Sequence, residues 1–305
     1  MSELTDIQHD VVVVGGGAAG LSAALMLGRA RRSVVVVDQG RPRNLEAPHM
    51  HGVLSRDGIS PVDFLEHGRA EARKYGVTFV EGEVTGIEPA VDGFTVRGPR
   101  DVRAKRVVVA TGLVDVLPDI PGVRDLWGTS AVVCPYCDGW EVRDQPLGVI
   151  ATSPMSRNQA HLLRQWTPNL TVFGAREAGI PEVELAGLEA RGIVLAAPAE
   201  KISLQDDVVV TTTNGDLHVA RVFVGARPRP SDSLLVALGC ATTDTFAGPY
   251  VATEPGGQTS VAGVWAIGNV ADSKALVSIA MGAGTLAATQ INISLLEEEI
   301  AHAIA

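Results

Sequence analysis

At 305 residues the chain can hold one large or two medium domains, each with a core of its own. It is 46% apolar with 33 glycines, and its apolar residues fall in short Val- and Ala-rich runs between glycines, a texture of α/β folds with parallel strands that excludes a coiled coil or a disordered chain. A net charge of −10 without any cluster of Lys and Arg makes nucleic acid and anionic membrane poor partners.

The first six residues, Met1 to Asp6, are acidic and lead at once into a strand, so no secretory signal is expected. No apolar run is read as reaching the roughly eighteen residues of a membrane span. Three cysteines without an export signal suit a reducing compartment. The expectation is a soluble, cytoplasmic protein.

Residues 10–14 read as a buried strand that feeds Gly15-Gly16-Gly17-Ala18-Ala19-Gly20. A helix over about 18–29 and a second strand, 33–37, ending in Asp38, follow. This is the context of a dinucleotide-binding turn: Gly15 permits the bend, Gly17 lets backbone approach a pyrophosphate, and Gly20 lets helix and strand pack closely. The helix N-terminus at Ala18 and Ala19 offers free N–H groups and a positive dipole end. Asp38 is placed to accept from a ribose diol. An acid there disfavours a 2′-phosphate, so FAD or NAD suits this turn better than NADP.

The loop over 41–58 carries His49 and His51. Two histidines in a loop do not make a metal site, which leaves ordinary loop polarity or a role beside the cofactor. A helix over 61–75 and strands at 77–80, 84–88, 93–97 and 106–109 come next. The last ends in Ala110-Thr111-Gly112, at the strand end where open α/β sheets bind ligands. Residues 119–122 read as a linker into a second domain.

That domain carries Cys134-Pro135-Tyr136-Cys137-Asp138-Gly139-Trp140-Glu141. Two thiols three positions apart can close a small disulfide ring, with Pro135 where a helix would begin. The same spacing is half a zinc site, but zinc needs two more soft ligands. The third cysteine, Cys240, has no histidine near it and reads as a small core residue. Redox chemistry is therefore preferred and no metal is expected.

A strand at 147–152, a helix at 158–166 and a strand at 170–173 repeat the earlier order. The intervening turn, Ser153-Pro154-Met155-Ser156-Arg157, has no glycine, and its proline removes an N–H donor. Only Arg176 after the next strand could meet a 2′-phosphate. The fold reads as kept and the nucleotide site as lost. Near the C-terminus, 263–272 is a strand ending in a glycine turn. The helix after it, about 273–296, contains Gly282 and Gly284, which suit either close backbone approach to a ligand or tight packing on a sheet. Glu297-Glu298-Glu299 reads as a solvated helix end.

Taken together, Gly15-x-Gly17-x-x-Gly20, Asp38, Ala110-Thr111-Gly112, Cys134-x-x-Cys137-Asp138-Gly139 and the 263–272 segment resemble the low-molecular-weight thioredoxin reductase family over nearly the whole chain. The resemblance implies two Rossmann-like, three-layer domains: an FAD domain split between 1–117 and 248–305, and an inserted NADPH-domain-like domain at 118–247. It also implies a homodimer, and a cofactor-binding set that extends to Gln39, Arg43, Asn44, His51, Val84, Gly268 and Asn269. The chain departs from the family in lacking the second glycine motif and the basic cluster after Phe173. It carries Asn269 for the acid of the second flavin motif, and apolar residues near Leu276-Val277 replace an Arg–Gln pair. These departures put NADPH in doubt and resemble instead the FAD-dependent dithiol oxidases of natural-product biosynthesis. Cys134-Pro135-Tyr136-Cys137 and the loop bearing His49 and His51 share in that likeness.

The expected function is oxidation of a dithiol to a disulfide, with oxygen as acceptor and a small dithiol or a thioredoxin-like protein as substrate. Cys134 is the expected point of attack, Cys137 the flavin-proximal sulfur by resemblance, and Asp138 the general acid/base, with helix capping as its plainer role. A disulfide reductase driven by NADPH or another donor, and a non-enzymatic flavin-binding redox module, are the alternatives.

Overall fold

The computed structural model describes residues 8–305, so the acidic stretch ahead of the first strand lies outside the described residues. The first elements are β1 (Gln8–Val14), α1 (Ala18–Arg29), β2 (Val34–Asp38), α2 (Pro61–Arg73), β3 (Thr78–Glu81), β4 (Gly86–Ala90), β5 (Gly93–Arg97), β6 (Val102–Val109) and β7 (Leu113–Val116). Next come β8 (Ala131–Val132), α3 (Pro135–Asp138), β9 (Leu147–Ile150), α4 (Ser156–Leu163), β10 (Leu170–Phe173), α5 (Glu182–Ala190), β11 (Val194–Ala196), β12 (Lys201–Leu204), β13 (Val208–Thr212), β14 (Gly215–Val219) and β15 (Arg221–Val224). The chain ends with β16 (Arg227–Pro230), α6 (Ser233–Ala237), β17 (Thr242–Thr245), β18 (Gly248–Val251), β19 (Val264–Ala266) and α7 (Val277–Ile304).

Two compact units result. Residues up to Arg43, Val62–Val114 and Pro228–Ala305 form the first, and Asn44–Pro61 with Asp115–Arg227 form the second. The sequence boundary at 247/248 differs from this division. Leu234, Leu235 and Cys240 are buried among Val12, Val14 and Val251, which ties the segment after Pro228 to the first unit. The expected linker at 119–122 is likewise packed inside the second unit. Val123 is fully buried, Ile202 N–H donates to Pro121 O at 2.9 Å, and a Cβ on Gly122 would lie 1.9 Å from Ile202 O.

The first unit is a seven-stranded sheet in the order β3-β2-β1-β6-β5-β4, with β19 beside β6. β1, β2, β3, β6 and β19 run parallel, β5 pairs antiparallel with β6, and β4 antiparallel with β5. Val11, Val12, Val13 and Val14 in β1 and Val34 to Val37 in β2 are all buried, as strands covered on both faces require. Ala19, Ala23, Ala24 and Leu27 of α1 share one core with Ala280, Ala287, Ala288, Ile291 and Leu295 of α7.

The small residues of α7 are there for packing at one position and not at the other. A Cβ on Gly284 would sit 2.1 Å from Ala19 O, whereas one on Gly282 would meet nothing within 4 Å. Two expectations for this segment need correction. By length and composition alone α7 is apolar enough to cross a membrane, although one face is buried within the unit. Its acidic end is also tethered: Glu298 pairs with Lys105 at 3.2 Å and Arg106 at 2.7 Å, and Glu299 with Arg32. Those three cations have no local relation to the helix, so the triplet alone reads as solvated.

The second unit has a parallel sheet, β11-β10-β9-β15-β8, and a separate antiparallel meander, β12-β13-β14. β15 is paired on both sides, Phe223 opposite Val149 of β9 and Val132 of β8. The strand that leads into the cysteine motif is thereby held in fixed register.

The two glycines of α7 give opposite expectations. Gly284→Ala forces α1 and α7 apart and should cost about 1–3 kcal/mol. Gly282→Ala adds a better helix former in open space and should gain up to about 1 kcal/mol. Thermal unfolding of both variants checks the assignment, and equal melting temperatures would contradict it.

Candidate functional site

The glycine turn of the first unit forms where β1 ends. Gly15 takes φ +103°, its N–H donates to Val37 O at 2.8 Å, and a Cβ there would lie 2.5 Å from Ala110 O. Ala110 N–H in turn donates to Val14 O at 2.7 Å, so the 110–112 turn is pressed against the glycine turn. A Cβ on Gly20 would lie 1.9 Å from Gly15 O, which keeps that position free of any side chain. Gly17 differs from both. It caps α1, and a Cβ on it would meet nothing within 4 Å, so the backbone at Gly17 lies beside open space at the helix N-terminus.

Asp38 closes one side of this turn. Its Oδ1 accepts from Gly16 N–H at 2.9 Å, and its Oδ2 lies 2.5 Å from Arg69 Nη2 of α2. Arg69 is a site residue that the sequence reading missed, because nothing local links position 69 to position 38. On the far side, Gly268 takes φ +70° and a Cβ on it would stand 2.9 Å from Ala19 Cβ. Asn269 donates through Nδ2 to Asp272 O and Ala275 O, bracing the turn ahead of α7. Thr111 Oγ1 donates to Ser231 O at 2.7 Å, and Gly112 adopts φ +72°. Val84 is buried, so its side chain serves the core, while Gln39 and Arg43 are exposed. A glycine-lined backbone cradle at a helix N-terminus, with a carboxylate at the next strand end, fits the pyrophosphate and ribose of a dinucleotide such as FAD.

The equivalent turn in the second unit is filled from within. Ser156 is buried and its Oγ accepts from Thr152 N–H at 3.2 Å, while Thr152 Oγ1 donates to Gly225 O. Ser156 N–H donates to Ser153 O and Asn158 N–H to Met155 O, both at 3.0 Å. Those donors are turned onto their own loop, and Pro154 supplies none. Beyond β10, Arg176 is engaged by Glu182.

Cys134 and Cys137 are joined in a disulfide, with Cα atoms 5.3 Å apart. Cys134 caps α3, and its Sγ accepts from Cys137 N–H at 3.2 Å. Pro135 occupies the first helical position, as expected. The helix is only four residues long, so the sulfur meets a backbone N–H and not the end of a long helix. A Cβ on Gly139 would come within 2.6 Å of Pro135 O and 3.0 Å of the Trp166 ring, against which Tyr136 packs edge-on at 5.8 Å. Glycine at 139 lets the turn lie close on that indole.

Asp138 faces Arg221 Nη1 at 3.7 Å. Burial pushes its carboxyl up to about 6; Glu141 adds to the rise, and Arg221 and His51 oppose it. His51 was expected among the cofactor contacts. It lies in the second unit with Asn44, its Nε2 3.4 Å from Glu141 Oε1 and its Nδ1 3.2 Å from Asp57 Oδ2. The Gly52 N–H, then His51, hold the Asp57 carboxyl below its ordinary range. His49 meets only Gly58 O, at 3.2 Å, among the described hydrogen bonds. Cys240 is buried with its Sγ 3.5 Å from Thr259 Oγ1, a core residue as read. Among the described residues no group of three or more His, Cys, Asp or Glu is placed to hold a metal.

Comparison with known proteins agrees with this arrangement. Residues 9–284 match the pyridine nucleotide-disulphide oxidoreductase family. Thioredoxin reductase sirT of Leptosphaeria maculans is 30% identical over 316 residues, covering 96% of this chain and 96% of that protein. The crystal structure of HlmI superposes with a TM-score of 0.92 at 45% identity, covering 97% of this chain and 95% of that one. A relative from Arthroderma benhamiae is 38% identical over 152 residues, which is 47% of this chain and only 38% of that protein.

Asp38→Ala removes the acceptor from a cradle suited to the flavin. A lost charged hydrogen bond is worth about 1.5–3 kcal/mol, so FAD retention should weaken about tenfold or more. The flavin-to-protein absorbance ratio after gel filtration reports it, and an unchanged ratio in a folded variant would remove Asp38 from the site.

Proposed function

The chain belongs to the pyridine nucleotide-disulphide oxidoreductase family and is a thioredoxin reductase-like enzyme, and from that premise we propose that it is an FAD-dependent dithiol oxidase that passes electrons to oxygen without NADPH. One contrast carries the reading. The first unit keeps an open glycine cradle, and the second retains Cys134–Cys137–Asp138 but has its own nucleotide turn filled by Thr152 and Ser156. The second observation also supports the resemblance to dithiol oxidases over NADPH reductases.

In this reading a substrate thiolate attacks Cys134 Sγ, the Cys134–Cys137 bond breaks, and Cys137 leaves as a thiolate. Asp138 accepts the proton of the second substrate thiol, which then displaces Cys134 from the mixed disulfide. Asp138 returns that proton to the leaving Cys134 sulfur. The substrate has lost two electrons and two protons, and the cysteine pair is reduced. FAD held by the Gly15–Gly20 turn and Asp38 would supply the acceptor for that electron pair, with oxygen as the final oxidant giving hydrogen peroxide. Tyr136 and Trp140, both exposed beside the disulfide, favour a substrate with apolar surface, whether a small dithiol or a thioredoxin-like protein.

The homodimer and the cytoplasmic location belong to the same proposal. Ile279, Leu286, Ile293 and Ile300 are exposed at seven-residue intervals on α7, a seam of the kind that pairs with another helix. A reductase is the second reading, favoured by the name of the Leptosphaeria relative.

Anaerobic mixing separates the two. Dithiothreitol should bleach the flavin, excess NADPH should not, and air should restore the colour with one peroxide per disulfide formed. Rapid bleaching by NADPH would establish the reductase instead.

Acidity gives a further check. Below pH 6 Asp138 holds its own proton and cannot accept another, so turnover should rise as pH climbs through about 6. Asp138→Asn should lower turnover about 10²–10⁴-fold and lose that limb. A variant that keeps both the rate and the limb would exclude Asp138 as the base.

A further inference from the structure

Arg221 has figured so far only as a charge beside Asp138, yet its placement is constrained from both sides. It is the first residue of β15, directly opposite Leu147 of β9, and the next residue, Val222, faces Ala131 of β8. Val222, Phe223 and Val224 are fully buried, so the strand cannot slide without dismantling its sheet. β8 enters the disulfide turn two residues later, at Cys134. The backbone that carries the guanidinium is thus locked to the backbone that delivers the sulfurs.

The side chain is not used as a fold-stabilising clamp. Its Nε is buried and has no hydrogen-bond partner among the described residues, a state that costs stability, and its Nη1 stops 3.7 Å from Asp138 Oδ1. At that distance the pair is a charge contact without a hydrogen bond. A bidentate Arg–carboxylate fork would hold Asp138 ionised too firmly for it to carry a proton. The other charged or titratable groups acting on Asp138 are Glu141 from its own turn and His51 from the 44–61 loop, with Asp57 behind His51. From α4, packed on α3, the neutral Gln159 donates to Val133 O.

We propose that Arg221 is the positioning residue for the acid/base step, a fixed cation that keeps the Asp138 carboxyl ionised enough to accept a thiol proton. The inference rests on the reading of Asp138 as that acid/base. Burial drives the Asp138 carboxyl upward and Arg221 is the largest influence pulling it down. Removing the cation therefore leaves the protonated form favoured to higher pH, and the range in which Asp138 accepts a proton retreats with it.

The test is a single-turnover pH profile on the flavin-loaded protein. The rate at which the second thiol of dithiothreitol frees Cys134 from the mixed disulfide, the step assigned to Asp138, is read by mass after alkylation. A limb near pH 6 is expected in the unaltered protein. It should move upward by one unit or more, a tenfold shift in proton affinity, in Arg221→Met, and return towards its original place in Arg221→Lys. Should the methionine variant fail to fold, Arg221→Gln takes its place. A limb that stays put in a folded, uncharged variant would overturn the proposal while leaving Asp138 as the base. Loss of the limb from the unaltered protein, or its persistence in Asp138→Asn, would instead bring down the underlying reading.

Discussion

Everything at the sulfur centre depends on a carboxyl held partly out of water next to a disulfide. Taking a carboxylate from water is unfavourable, and a neighbouring cation opposes that cost. At Asp138 burial outweighs Arg221, the next-largest influence, and the carboxyl is pushed up to about 6. The result is a group that changes protonation near neutrality, where thiol chemistry needs a proton acceptor. A tighter ion pair would fix it as an anion, and deeper burial without Arg221 would fix it as an acid.

Two strand–turn–helix units in one chain differ in how their turns treat the backbone donors. After β1 the turn is glycine throughout, its backbone pressed on Ala110 at Gly15 but open at Gly17. After β9 the corresponding turn holds Ser156 and Thr152, whose hydroxyls serve Thr152 N–H and Gly225 O. Backbone donors bind a phosphate only when nothing else satisfies them. In the second unit the Thr152, Ser156 and Asn158 N–H groups are taken up within the loop, while the βαβ frame persists.

Close packing of small residues does comparable work in the first unit. Gly284 brings α7 against Ala19, and Gly268 lets the preceding turn rest on the same alanine. Ala19 is therefore the point where α1, α7 and the 268–270 turn converge, next to the glycine cradle itself. The Glu298 and Glu299 pairs with Lys105, Arg106 and Arg32 secure the far end of that helix.

The sequence alone determined what local pattern controls. Valine runs and glycine spacing marked β1, α1 and β2, with α1 bounded at Ala18 and Arg29 as read. The Cys134–Cys137 pair, its N-cap and Pro135 follow from four adjacent residues, and the missing glycines at 153–157 are visible as composition. What only the tertiary structure decided are the charges that meet across long separations: Arg69 on Asp38, Arg221 on Asp138, His51 on Glu141. It also decided that residues 119–122 and 228–247 are packed parts of their units, and that the acidic tail of α7 is paired. Periodicity and turn chemistry act over a few residues and can be read in order along a chain. Desolvation and ion pairing depend on which distant strands become neighbours, and that is fixed only when the sheets close.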